Sequence, residues 1–347
     1  MNASQTFPSF AEVFASLESG SLSPDQVRAA FGAILTGGWS TVQIGAFATA
    51  LRLRGESAEM IVAAAEALRA VMTPVDHDLL EVVDTCGTGG DGAHTLNVST
   101  AAALVVAGAG CFVAKHGNRS VSSRCGSADV VEALGIPTDV EPTRQRDVLC
   151  EARIAFLMAP SHHPALRHAA AARRELGLRT IFNALGPLVN PARATHQLVG
   201  VYDDALRPVM AAALGRLGVK RAWVVRSEDG LDEISPAAAT RVSVLDAGAV
   251  TERVVTPSDF GIEPSTLDAL RGGDATENAA AIVAMLAGGG HPALHAVILN
   301  AAAALSLVRG GDLRACAEEA RSVVASGRAT ATLEAWRRAA HTAREPR

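Results

Sequence analysis

Between Ser23 and Leu68 the apolar positions fall three and four residues apart. Val27, Ala30, Phe31 and Ile34 form one stripe, Ile44, Phe47, Ala48 and Leu51 a second, and Ile61, Ala64, Ala65 and Leu68 a third. That spacing puts each set on one face of an α-helix. The starts are marked as well. Ser23-Pro24-Asp25-Gln26 combines an N-cap serine, a first-turn proline and a capping-box glutamine; Ser40-Thr41-Val42-Gln43 repeats the box, and Ser57 opens the third helix. Gly37-Gly38 separates the first two. Three short helices with narrow stripes predict a small helical domain, whose apolar faces must close on each other, on a larger domain or on another subunit.

After Pro74 the pattern changes. Short apolar runs at Leu79–Val83, Cys111–Ala114, Ile154–Met158, Leu198–Tyr202, Arg221–Val225 and Thr240–Leu245 alternate with helical stretches. This alternation predicts an α/β domain with a mostly parallel central sheet, and from about Thr276 the chain reads as mostly helical with a polar tail. In such sheets ligands bind beyond the carboxyl ends of the strands.

The 347 residues carry a net charge of −5, so a general nucleic-acid binder is disfavoured and an anionic ligand must be held by local positive groups. The apolar run Ala101–Ala114 is interrupted by Gly108 and Gly110 and is too short to span a bilayer. The first basic residue is Arg28, which gives no secretory leader pattern. Cys86, Cys111, Cys125, Cys150 and Cys316 are odd in number and lack C-x-x-C spacing, which reads as reduced, buried thiols in the cytoplasm. Lysine occurs only at Lys115 and Lys220. In an arginine-rich chain, a lysine at a strand end points to a specific need.

Two loops carry most of the candidate chemistry. Gly87-Thr88-Gly89-Gly90-Asp91-Gly92 follows a strand and leads into Thr95, Asn97, Ser99 and Thr100 at the start of a helix. Glycines let backbone N–H groups converge on an oxyanion, and a helix N-terminus favours negative charge. The spacing is neither a dinucleotide fingerprint nor a P-loop. The second loop, Lys115 to Ser123, holds two cations, an amide and three hydroxyls, and Gly126-Ser127 opens the next helix. Two such loops suggest a ligand with two separated anionic groups. Asp229-Gly230-Leu231-Asp232-Glu233 adds neighbouring carboxylates suited to Mg²⁺. His162 and His163, adjacent in sequence, point apart and make a poor metal pair. Arg173 and Arg174 are candidates for a substrate carboxylate or for a surface ion pair.

The segments GTGGDGAHTLNVST (Gly87–Thr100), KHGNRSVSS (Lys115–Ser123), GSADVVEALG (Gly126–Gly135), RTIFNALGPLVNPA (Arg179–Ala192) and DGLDEIS (Asp229–Ser235) resemble the anthranilate phosphoribosyltransferase family, in order and over most of the chain. The resemblance implies a helical domain over 1–75, with a later contribution from about 173–195, and a donor-binding α/β domain over 76–347. It implies transfer of phosphoribosyl from phosphoribosyl pyrophosphate (PRPP) to anthranilate in tryptophan biosynthesis, with one or two Mg²⁺ ions and a homodimer joined through the helical domains.

Carried over by position, Gly87, Gly90, Asp91 and Thr95 would hold the pyrophosphate, with Asn97, Val98, Ser99 and Thr100 along the same ligand. Lys115, His116, Gly117, Asn118, Arg119, Ser120, Val121, Ser122 and Ser123 would meet the phosphoribosyl portion beside Ser127. Asn118 and Arg173 would meet anthranilate, and Ser99, Asp232 and Glu233 the metal. Lys115, Asn118 and Arg173 are the expected catalytic set, while His116 reads as structural. The sequence departs from the family pattern at Leu96, often Phe, at Ala170-Ala171-Ala172 before Arg173, and at Arg226-Ser227, often His-Gly. These departures touch the acceptor channel. A pyrimidine-nucleoside phosphorylase, a non-catalytic nucleic-acid-binding homologue and a transferase for another aromatic amine are the competing readings.

Overall fold

The structure, a computed structural model, describes residues 7–120 and 124–345. Val121, Ser122 and Ser123 of the second loop lie outside the described residues. Four helices come first, one more than the periodicity predicts: α1 (Phe10–Ser19), α2 (Pro24–Leu35), α3 (Thr41–Arg54) and α4 (Ala58–Arg69). The additional one, α1, starts with its own capping box, Ser9 with Glu12, and buries only Val13 and Leu17, too sparse a stripe to stand out. The boxes at Ser23–Gln26 and Ser40–Gln43 form as read, and Ser57 accepts the N–H of Met60.

The strands are β1 (Val83–Asp84), β2 (Val113–Gly117), β3 (Ile154–Met158), β4 (His196–Gly200), β5 (Arg221–Ser227), β6 (Thr240–Asp246) and β7 (Ala249–Val255). They form one sheet in the order β3-β2-β1-β4-β5-β6-β7. The first five are parallel, as expected, while β6 and β7 form an antiparallel hairpin at the edge. β7 escaped the periodicity because six of its seven residues are exposed and no apolar face is required of it. β1 is shorter and later than the run Leu79–Val83 suggests. β2 also begins and ends later than its apolar run, so Lys115 and His116 lie within a strand rather than a loop.

The remaining helices are α5 (Val98–Gly108), α6 (Ser127–Ala133), α7 (Gln145–Ala152), α8 (Ala159–His162), α9 (Arg167–Leu176), α10 (Ile181–Ala184), α11 (Leu206–Arg216), α12 (Ala275–Leu286), α13 (Leu294–Arg309), α14 (Leu313–Ala325) and α15 (Arg328–Arg344). Alternate strand residues separate two cores. Leu198, Trp223 and Val225 join a core with α5, α7, α13, α14 and α15. Val199, Ala222 and Val224 join α11, α9, α10 and the first four helices on the opposite face. Among the described residues no single helix is long and apolar enough to cross a membrane.

Candidate functional site

The carboxyl ends of β1, β2, β4 and β5 surround one cleft. The glycine loop leaves β1 with Gly89, Gly90 and Gly92 all at positive φ, a conformation open to glycine at little cost. Its base is pinned where the Thr88 N–H donates to the Gly200 carbonyl at 2.8 Å, at the end of β4. A Cβ on Gly87 would stand 3.0 Å from that oxygen. Gly200 is more constrained still, since a Cβ there would overlap the Asp232 carbonyl oxygen. One side-chain-free position therefore lets the glycine loop and the acidic loop close on the same strand end.

Lys115 is buried at 2% exposure. Its Nζ donates to the Thr85 carbonyl at 3.1 Å, to Thr85 Oγ1 at 3.3 Å and to Ser99 Oγ at 3.3 Å. Ser99 is a node: its N–H, in the first turn of α5, donates to Glu233 Oε1 at 3.1 Å. The acidic loop thus reaches the helix N-terminus beside the lysine. Asp232 and Glu233 are pushed well above the usual carboxylate range, first by burial, with the Asp91 charge the next cause for Asp232 and the Asp232 charge the next for Glu233. Asp91 Oδ2 is buried and has no hydrogen-bond partner among the described residues. Mutually repelling carboxylates with an orphaned oxygen suit a hard divalent cation. Among the described residues no three His, Cys, Asp or Glu side chains close into a ready cage. The donor set thus fits an ion that keeps several waters and shares substrate oxygens. Asp229 serves elsewhere: its carboxylate accepts from the hydroxyls of Ser227 and Ser235 and shapes the turn.

The second loop is only partly directed at the cleft. Arg119 forms an ion pair with Asp129 at 3.1 Å and another with Glu132 at 2.5 Å. Asp129 caps α6 by accepting the N–H groups of Ser120 and Gly126. Asn118 Oδ1 accepts the Arg119 N–H, and the Asn118 carbonyl accepts from Ser127 Oγ at 3.3 Å. Gly117 must be glycine, because a Cβ would meet Ser127 Oγ and the Phe156 ring. Along α5, Val98 and Thr100 are buried in the core, and Thr95 pairs with Arg271 in an isolated bridge.

His116 points away from Lys115, as adjacent strand residues do. Its Nδ1–H donates to the Gly186 carbonyl at 2.9 Å, and its ring centroid lies 5.1 Å from that of His163. Burial holds His116 down to about 4 and His163 to about 3, so both rings are neutral near pH 7. His162 does point elsewhere, donating to the Thr73 carbonyl at 2.8 Å. Arg173, in the last turn of α9, lies over the Phe182 ring at 5.8 Å and forms no ion pair among the described residues; burial lowers its pKa. The His116–His163 pair packs beside Gly186, just after α10, and Arg173 packs on Phe182 within α10.

Sequence reasoning missed three residues that hold this arrangement. Asp84 is fully buried, accepts the His116 N–H at 3.2 Å and Asn190 Nδ2 at 2.7 Å, and is pushed up to about 6 by burial. Asn300, on α13, clamps the acidic loop through both the N–H and the carbonyl of Ile234. Arg179 lies flat against Gly90, where a Cβ would be 2.8 Å from its Nη2, and over the Tyr202 ring at 4.5 Å. Asp84 and Asn300 announce themselves only as polar residues in apolar runs, a signal too common to single them out.

Two family models cover most of the chain. Residues 16–72 match the glycosyl transferase family helical bundle domain, and residues 79–330 match the glycosyl transferase family a/b domain. An anthranilate phosphoribosyltransferase of Myxococcus xanthus is 49% identical over 316 residues, covering 90% of this chain and 94% of the relative. That of Moorella thermoacetica is 49% identical over 315 residues, covering 90% and 93%. The solved anthranilate phosphoribosyltransferase of Thermus thermophilus superposes with a TM-score of 0.89 at 38% identity, covering 95% of this chain and 99% of that one. The Saccharomyces cerevisiae structure in complex with PRPP and Mg superposes at 0.88 and 28% identity, covering 96% and 98%.

Proposed function

This chain belongs to the anthranilate phosphoribosyltransferase family, and we propose from that premise how its own residues carry the family's reaction. The reaction joins anthranilate to PRPP, giving N-(5-phosphoribosyl)anthranilate and pyrophosphate in tryptophan biosynthesis, with Mg²⁺. The observation that carries the assignment of roles is the convergence of Lys115 and Glu233 on Ser99, with Asp91 of the glycine loop against Asp232.

Breaking the C1–O bond of PRPP leaves negative charge on pyrophosphate and an oxocarbenium-like ribose. Stabilising the leaving group matters most, and fixed donors do this without reorganising. The backbone N–H groups of the Gly87–Gly92 loop and the Lys115 ammonium supply them, with Gly87, Gly90 and Asp91 shaping the loop. Asn97, Ser99 and Thr95 continue the surface along PRPP, and Val98 and Thr100 contribute backbone only. Gly117, Asn118, Ser120 and Ser127 face the phosphoribosyl part; Val121, Ser122 and Ser123, assigned to it by the resemblance, lie outside the described residues. Arg119 acts by ordering that loop through its ion pairs with α6.

Asp232, Glu233 and Ser99 would hold one or two Mg²⁺ ions, with Asp91 facing them. The chemistry supplied by Mg²⁺ when bound is charge neutralisation on the departing pyrophosphate. Arg173, free of carboxylate neighbours, would bind the anthranilate carboxylate with Asn118 beside it, and positioning of the amine over C1 accounts for the rest. His116 stays neutral and serves as a packed wall.

The exterior of α3 supports a homodimer. Val42 and Leu53 are 80% and 82% exposed and lie on the same face, with Leu178 from the α9–α10 turn 54% exposed nearby in the same layer. The thiols Cys86, Cys111, Cys150 and Cys316 lie in no disulfide, which supports a cytoplasmic enzyme; Cys150 is exposed, against the expectation of burial.

The direct test is loss of anthranilate fluorescence on mixing the protein with anthranilate, PRPP and Mg²⁺. Consumption that requires all three and stops with EDTA is expected. Consumption of uridine or thymidine with phosphate instead would replace the assignment.

A further inference from the structure

An asparagine amide has two unlike ends, and at the donor cleft a chain of hydrogen bonds decides which end faces outward. The segment around Leu270–Gly273 runs beside the end of the glycine loop: Leu96 N–H donates to the Leu270 carbonyl at 2.8 Å and Gly272 N–H to the His94 carbonyl at 3.0 Å. Close approach is possible because Gly272 lacks a Cβ, which would stand 2.7 Å from the Thr95 backbone. This clamp brings Asn278 of α12, 1% exposed, to Asn97 at the start of α5.

The orientation then follows from one unambiguous donor. The Gly273 N–H can only donate, and it does so to Asn278 Oδ1 at 2.8 Å. Asn278 Nδ2 is therefore turned the other way and donates to Asn97 Oδ1 at 3.1 Å. Cys125 Sγ adds a second donor to the same oxygen at 3.4 Å. With its oxygen doubly engaged inside the protein, Asn97 presents Nδ2 outward, and this nitrogen has no partner among the described residues. Ser99, which receives Lys115, lies two residues on.

We propose that Asn278 is a positioning residue for the donor: it locks the Asn97 amide so that the cleft offers N–H groups, not a carbonyl oxygen, to the oxygens of PRPP. The assignment rests on the reaction given above. Asn278→Asp is the discriminating change. The aspartate still accepts from Gly273, but its second oxygen faces Asn97 Oδ1, and the repulsion turns the Asn97 oxygen toward an anionic ligand.

The experiment is steady-state kinetics in both substrates for the wild type, Asn278→Asp, Asn278→Ala, Asn97→Ala and the Asn97→Ala/Asn278→Asp double variant, with melting temperatures alongside. Asn278→Asp should raise the KM for PRPP about tenfold or more, the scale expected for a misplaced polar group, with the anthranilate KM unmoved. The double variant should be no worse than Asn97→Ala alone, because the second change acts only through the first. Additive effects, or equal shifts in both KM values, overturn the proposal. If Asn278→Asp does not fold, Asn278→Ala combined with Asn97→Ala gives the same coupling test. A wild type that consumes no PRPP overturns the reaction and this assignment together; a wild type that does, with an unmoved PRPP KM in Asn278→Asp, overturns the assignment alone.

Discussion

The proposed donor cleft and the proposed acceptor side of this enzyme are built in opposite ways. On the proposed donor side the polar side chains are linked to one another: Lys115 to Thr85 and Ser99, Ser99 to Glu233, Asn97 to Asn278 and Cys125, with Asp91 Oδ2 and Thr100 Oγ1 the buried exceptions. On the proposed acceptor side His116 and His163 keep ring nitrogens without partners among the described residues, and Arg173 rests on Phe182 with no ion pair among them. The proposed donor side is an assembled oxyanion site of backbone and small residues. The proposed acceptor side is a set of separate groups on β2, after α8 and on α9. A polyphosphate needs many fixed donors, whereas a flat aromatic acid needs one cation and shaped walls.

That contrast can be broken most sharply at Lys115. Lys115→Ala should lower turnover about 10²- to 10³-fold, or ~3–4 kcal/mol, with circular dichroism unchanged. Unchanged kinetics would remove the lysine from the chemistry and leave it as a counter-charge for Asp84 and Glu233. Gly200→Ala comes next. Its methyl group would collide with the Asp232 backbone, which cannot yield as a side chain can. A loss of about 3 kcal/mol in denaturant unfolding is expected, together with a weaker response to Mg²⁺. A stable, fully Mg²⁺-responsive variant would show that the acidic loop does not depend on this approach.

The acceptor side should respond more gently and more selectively. Arg173→Gln should raise the anthranilate KM about tenfold to a hundredfold while sparing the PRPP KM. A rise confined to PRPP would move Arg173 to the donor side.

The smallest effect distinguishes the two sides by pH. Asp84, Asp232 and Glu233 are acids pushed up by burial, so the stability they contribute is present at low pH and lost as pH rises through their native values, about 6 for Asp84. His116 and His163 are bases pushed down, so their contribution is full above about 6.5 and lost as pH falls toward 4. Mg²⁺ compensates only the acidic loop and binds its deprotonated form. Melting temperatures with and without Mg²⁺ should therefore separate by ~3 °C or more as pH rises from about 5 to about 8. A gap that narrows over this range would contradict cation binding at Asp232 and Glu233.

Legibility follows the same division. The glycine loop and the KHGNR segment stand out because their chemistry is local: positive φ, consecutive N–H groups and a rare lysine all lie within one strand-loop-helix unit. Asn278 lies 181 residues from Asn97, and Asp84 lies 106 from Asn190; nothing in the neighbourhood of either partner announces the other. The helix starts were readable because a cap is a contact three residues long. The β7 strand was not, because an exposed edge hairpin needs no apolar alternation.

The sequence alone determined the two-part architecture, the mostly parallel sheet and the loops proposed to meet PRPP, since each depends on periodicity or on residue types a few positions apart. The tertiary structure decided what those loops could become. It put Lys115 inside a strand against Thr85 and Ser99 and set Glu233 at the start of α5. It also made Gly200 the point where two loops share one strand end, and turned the Asn97 amide outward. These contacts join segments distant along the chain, and their geometry is fixed only when both cores close on the sheet.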